Sequence, residues 1–99
     1  MVPKTIRVKS QVFELFRKIR ENFEYKNNGF VREMIDCFCN ETGKEIYYNS
    51  NNNDDFHNIR VNNHYYNKVK NIRREYKLTA SNAIYTLLKN FIEVYGEKP

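Results

Sequence analysis

Val2-Pro3-Lys4-Thr5-Ile6-Arg7-Val8 is the stretch on which the reading of this chain turns. Its apolar and polar residues alternate, with Ile6 and Val8 on one face and Thr5 and Arg7 on the other. A period of two is the pattern of a strand buried on one side. The pattern returns in Asn58-Ile59-Arg60-Val61, which repeats Thr5-Ile6-Arg7-Val8 at an offset of 53 positions. Strands this short are not stable alone, so each copy needs a partner. The two copies are therefore expected to pair as one two-stranded antiparallel ribbon that the remaining chain supports.

Outward from each strand run two helical patterns. In the first half Ser10, or Lys9, opens a helix, and a Ser hydroxyl suits the N-cap because it accepts a bond from an orphan amide. Val12, Phe16, Ile19 and Phe23 form its apolar stripe, which Phe13 and Leu15 widen, while Glu14, Arg17, Lys18 and Arg20 face water. Residues 24–29 break the pattern, and Asn27-Asn28-Gly29 reads as a turn. Val31, Met34, Ile35 and Phe38 then mark the buried side of a second helix that Gly43 ends as a C′ residue.

The second half replays this order. Asn62 or Asn63 caps a helix whose stripe is Tyr65, Val69, Ile72 and Tyr76. A turn at Lys77-Leu78 and an N-cap at Thr79 lead into a helix that buries Ile84, Leu87, Leu88 and Phe91 and ends at Gly96. Between the halves, residues 44–56 show no helical period and the polar run 49–55 reads as a linker, while Tyr47 and Tyr48 just before that run have no evident role. Laid over each other at the offset of 53, residues 6–45 and 59–98 share seven identities in 40 pairs: Ile6/Ile59, Arg7/Arg60, Val8/Val61, Ile19/Ile72, Arg20/Arg73, Phe38/Phe91 and Gly43/Gly96. The apolar stripes, caps and terminal glycines also fall in register. Duplication of a strand–helix–helix unit is the simplest account, with one copy over residues 1–43, a linker over 44–55 and a second copy over 56–99, together one compact domain.

The formal charge of +5 over 99 residues and a pI near 9.2 suit an anionic partner without choosing between nucleic acid and membrane. No apolar run approaches the roughly 20 residues that span a bilayer, and the first residues carry no secretory pattern; a cytoplasmic protein is expected. Asn occurs 15 times and Ala twice, which hints at an AT-rich coding sequence. Cys37 and Cys39 lie two apart on a helix and point in different directions; with His57 and His64 they match no zinc spacing, and small thiols packed in a core are the expectation. There is no nucleophile–histidine–carboxylate spacing and no glycine-rich phosphate loop. Neither enzymatic activity, a metal, a cofactor nor a small-molecule ligand is expected.

Strand, helix, turn and helix at these lengths resemble the ribbon-helix-helix superfamily of DNA-binding repressors, the Arc and MetJ type. Val12-Phe13-Glu14-Leu15-Phe16-Arg17-Lys18-Ile19 is similar to the first helix of Arc, and Phe30-Val31-Arg32-Glu33-Met34-Ile35 to the opening of the second helix in many members. Two copies in one chain resemble the tandem regulators of archaeal viruses, the AvtR type. The resemblance implies a mainly α fold with a two-stranded antiparallel β-ribbon, a tandem ribbon-helix-helix closed as an intramolecular pseudo-dimer. It implies a transcription regulator that inserts its ribbon into the major groove of double-stranded operator DNA, with further self-association there. By position, Thr5 and Arg7 on the first strand and Asn58 and Arg60 on the second are expected to touch base edges. Lys9 and Asn62, at the strand–helix junctions, either join them or cap the helices. Pro3 stands at a third such position without a side-chain donor. Phosphates are expected at the N-termini of the second helices, near Lys26, Asn27 and Asn28 in one half and Thr79 and Ser81 in the other.

The chemistry agrees with that implication. Arg makes a bidentate bond to guanine and Asn to adenine. Arg7 directly opposite Arg60 would set like charges together, so the ribbon is expected to centre on Thr5 opposite Asn58, with Val2 opposite Val61. Three plainer readings stand beside it. The strands can be an ordinary amphipathic hairpin; the scaffold can bind another protein, as antitoxin-type members do, although only residues 96–99 follow the last helix; and basic helices can lie on a membrane, although the stripes look like core.

Overall fold

The computed structural model describes residues 3–48 and 55–98. Its elements run β1 (Lys4–Lys9), α1 (Ser10–Asn22), α2 (Asn27–Cys37), β2 (Phe56–Val61), α3 (Asn63–Tyr76) and α4 (Ala80–Tyr95), with a π-helical turn, Phe38–Thr42, continuing α2. The chain is mainly helical, and β1 and β2 form a two-stranded antiparallel sheet. Val2 and residues 49–54 of the expected linker lie outside the described residues.

The register differs from expectation by two. Ile6 stands opposite Ile59, Thr5 opposite Arg60 and Arg7 opposite Asn58. Pairing Thr5 with Asn58 would instead have set Ile6 against His57 and Ile59 against Lys4. The observed register aligns the two isoleucines over the core, and still keeps the arginines apart by giving each a small polar neighbour. A slip of two leaves every side chain on its own face, so Ile6, Val8, Ile59 and Val61 are buried as the alternation required.

Beneath the ribbon the four helices close one core around Phe16, Phe30, Phe38 and Phe91, with Ile19, Ile84, Leu87 and Leu88 between them. The rings of Phe23 and Phe30 each meet Phe91 edge-on, at 5.0 and 5.1 Å, the T-shaped arrangement that aromatic quadrupoles favour. Of the two residues expected to open α1, Lys9 is the N-cap and makes no side-chain cap bond; the Ser10 amide donates to the Asp55 carbonyl at 2.8 Å. The start of α2 departs from expectation. Asn27, Asn28 and Gly29 are the first turn of α2 rather than a loop, and the chain reverses before them, where Glu24 takes φ 60. Both asparagine side chains are bonded to the opposite half (Asn27 to Arg60 O, Asn28 to the Asn62 amide), which overrides their local turn preference.

Residues 44–48, expected to begin a linker, are a strap bonded along α4. The Lys44 amide donates to Asn90 Oδ1 at 3.2 Å and Asn90 Nδ2 donates to the Lys44 carbonyl at 2.6 Å. Thr86 Oγ1 accepts from the Ile46 amide at 3.1 Å and donates to the Ile46 carbonyl at 2.7 Å. The Tyr48 amide reaches Asn82 Oδ1 at 2.8 Å, and its hydroxyl donates to Gln11 Oε1 at 2.7 Å. The spacing is matched: two extended residues advance about 6.6 Å and four helical residues about 6 Å, so every second strap residue meets every fourth on α4. Thr86 and Asn90 are both fully buried, and the strap satisfies polar atoms that would otherwise be costly there. Gly43, at φ 57, is the left-handed residue that turns the chain from helix into strap.

Candidate nucleic-acid interface

Because one parity of each strand is committed to the core, the other faces outward. Thr5, Arg7, Asn58 and Arg60 are all exposed, and they sit on two outward-facing rungs either side of Ile6–Ile59, Thr5 with Arg60 and Arg7 with Asn58. Each rung joins one guanidinium to one short polar group. The next rung, Lys9 with Phe56, places an aromatic on the outer face: Phe56 is 43% exposed. Arg7 Cζ lies 4.2 Å and Lys9 Nζ 4.3 Å from its ring centroid, attractions worth about 0.5–1 kcal/mol each at an exposed site. Phe56 precedes Asn58 and Arg60 at the same parity, and alternation alone assigns it no role. Its counterpart at the offset of 53 is Pro3, so Arg7 rests on an aromatic while, among the described residues, Arg60 does not.

The junction residues resolve differently. Asn62 caps α3, its Oδ1 accepting from the Tyr65 amide at 3.1 Å, whereas the Lys9 side chain lies over Phe56. Their backbone amides behave alike: Lys9 N donates to Ser81 Oγ at 2.9 Å and Asn62 N to Asn28 Oδ1 at 2.8 Å. Donors and acceptors of these two bonds are both related by the offset of 53. Each second helix is thus tied, at its N-terminus, to the strand–helix junction of the other half.

Of the residues expected at phosphates, Asn28 and Ser81 are therefore acceptors for those amides, and Asn27 Nδ2 donates to the Arg60 carbonyl at 3.0 Å. Thr79 caps α4, its Oγ1 accepting from the Asn82 amide at 3.1 Å. Lys26 occupies the matching position before α2, exposed and without a side-chain cap bond. Thr79 and Ser81 line a cleft with Lys9 and Phe56, and Asn27 lines one with Asn58 and Arg60.

Clefts flank the ribbon at equivalent places in the two halves. One of about 300 Å³ lies between β1 and α3, lined by Thr5, Arg7, Lys70 and Arg73 among others. The other, about 170 Å³, lies between β2 and α1 and is lined by Asn58, Arg60, Arg17 and Arg20. Arg20 and Arg73 each reach back to the reversal that follows their helix, to the Tyr25 carbonyl at 3.5 Å and the Leu78 carbonyl at 3.4 Å. Arg17 is held by Glu14 at 2.7 Å and Glu21 at 3.6 Å. Its hydrogen bond and charge keep the Glu14 carboxyl below the ordinary range and raise the guanidinium in turn. Cys37 is buried and its Sγ meets the Asn90 carbonyl at 3.7 Å, while Cys39 is exposed; both are thiols.

No family model, curated protein or solved structure matches the chain. Among the described residues no helix is long and apolar enough to cross a membrane, and no group of three or more His, Cys, Asp or Glu is placed to hold a metal ion.

Proposed function

We propose that the chain is a sequence-specific regulator of transcription that binds double-stranded DNA as a tandem ribbon-helix-helix protein, with both strands of its ribbon drawn from one polypeptide. The observation that carries this reading is the outer face of the ribbon. Two rungs, each an arginine beside a small polar residue, stand exposed over a buried apolar face. A two-stranded ribbon fits the major groove, and these side chains match the hydrogen-bonding edges displayed there. The paired bonds at both junctions support a pseudo-dimer, since equivalent residues do equivalent work in the two halves.

Base reading and backbone holding fall to different groups in this reading. Arg7 and Arg60 take the bidentate role towards guanine, Asn58 a bidentate role towards adenine, and Thr5 a hydroxyl bond or a methyl contact with thymine. The strands differ at Thr5 and Asn58, so the preferred site is an imperfect palindrome with a fixed orientation. Phosphates on either side meet the N-termini of α2 and α4, where first-turn amides without a helical partner and the helix dipole favour an anion.

Selection of bound duplexes from a random library, followed by competition titration, tests the proposal. Arg7→Ala and Arg60→Ala are each expected to weaken the selected site by about 1–3 kcal/mol, and mixed-sequence DNA by much less. No enriched sequence, or equal losses on both DNAs, would refute base reading by the ribbon.

A further inference from the structure

The two halves differ in charge along the first helix of each. Lys70, Arg73, Arg74 and Lys77 are spaced three, four and seven apart from Lys70, which puts them on one face of α3 and its C-terminal turn. The equivalent positions on α1 hold Arg17, Arg20, Glu21 and Glu24. Exposure matches position by position: the second residue of each stripe is half-buried and the other three are exposed. Charge does not match. On α1 the stripe is self-neutralising, with Arg17 at 3.6 Å and Arg20 at 3.8 Å from Glu21. On α3 four cations stand together, and among the described residues no carboxylate pairs with any of them.

Folding does not explain the difference. Like charges three and four apart on a helix repel, so the stripe on α3 weakens the helix slightly. A helix dipole favours cations near its C-terminus, but it acts equally on α1, where the same two terminal positions are glutamates. Placement suggests a use. Arg7 of the ribbon's outer face, Lys70 and Arg73 line one cleft, and Lys70, Arg73 and Arg74 line the next, so the cationic surface runs without a break from ribbon to helix.

We infer that this stripe is a second, one-sided contact for the DNA backbone: it holds phosphates flanking the ribbon's site beside α3 and leaves the α1 side without an equivalent grip. The inference rests on the proposed function and deepens it. A ribbon seated in the groove brings the bordering backbone past both first helices, and only α3 offers it unpaired cations. The complex is therefore lopsided, with a footprint that extends further to one side. That polarity is separate from any asymmetry in base reading, because phosphates carry no sequence.

Salt titration of binding to a mixed-sequence duplex separates the possibilities. Each phosphate contact contributes about 0.9 to the slope of log affinity against log salt. Lys70→Gln/Arg74→Gln is expected to lower the slope by about 1.8, while Lys44→Gln/Lys89→Gln, an equal change of charge near the far end of α4, leaves it close to wild type. Unfolding in urea should show the first variant at least as stable as wild type, since it removes a repulsion. On the selected site, lengthening the duplex on one side only should tighten wild-type binding, and the same lengthening should do nothing for Lys70→Gln/Arg74→Gln. Equal slopes for the two double variants, or equal gains from lengthening either side, would overturn the inference and leave the stripe to an acidic protein or an anionic membrane. Failure of the wild type to bind DNA would instead overturn the proposed function on which the inference stands.

Discussion

The half built on β1, α1 and α2 and the half built on β2, α3 and α4 agree at the ribbon's centre, its junctions and the helix reversals, and differ along the second helices, at the helix starts and in the charge of the first helices. The shared features are the central Ile6–Ile59 rung, the two junction bonds to Asn28 and Ser81, the bonds from Arg20 and Arg73 to the reversals, and the left-handed Gly43 and positive-φ Gly96. The unshared ones are the strap along α4, the side-chain cap of α4, the aromatic beneath Arg7 and the cations on α3. The lesson is that residue identity is a poor guide to equivalence here. Asn28 and Ser81 are different residues making the same bond, whereas Glu33 and Thr86 occupy the same position and do unrelated things.

The strap offers the largest effect by which to sharpen this comparison. Thr86→Val keeps the shape but leaves the Ile46 amide and carbonyl without their partner, and is expected to cost about 1–3 kcal/mol. Glu33→Ala, at the equivalent place on α2, is expected to stay within about 0.5 kcal/mol of wild type. Urea midpoints at unchanged slope measure both, and equal losses would mean that the strap is not holding α4. A smaller contrast lies at the helix starts. Thr79→Ala removes a cap bond and should cost about 1 kcal/mol, whereas Lys26→Ala removes none and should be nearly silent; a loss at Lys26 as large as that at Thr79 would erase the distinction.

Much of this was legible in the sequence, for a physical reason. Period two and period 3.6 are written in the order of apolar residues, so the strands, the stripes through Val12, Phe16 and Ile19 or Ile84, Leu87, Leu88 and Phe91, the cap at Thr79 and a cap at one of Asn62 and Asn63 can be read directly. The register was not, because a slip of two changes no face and is decided by which apolar residues meet across the pair. Nor was the start of α2, where Asn27 and Asn28 look like a turn until their tertiary partners are known. The strap left one trace: Asn82, Thr86 and Asn90 recur every four residues on an otherwise apolar helix, where Gly29, Glu33 and Cys37 stand in the other half. Polar residues at that spacing along a buried face require partners, and the nearest unassigned backbone was residues 44–48. For the outer face, alternation located Thr5, Arg7, Asn58 and Arg60, but the cations that Phe56 carries are known only once Lys9 is seen to lie opposite.

At the centre of the account is the claim that two unlike halves of one chain close on each other, so that β1 and β2 meet within a single molecule. Urea unfolding across a wide span of protein concentration tests this most directly. Intramolecular pairing predicts a midpoint that does not move. A ribbon formed between chains predicts one that climbs, because a hundredfold rise in concentration adds about 2.7 kcal/mol to the apparent stability of an obligate dimer; a steady climb of that size would contradict the account.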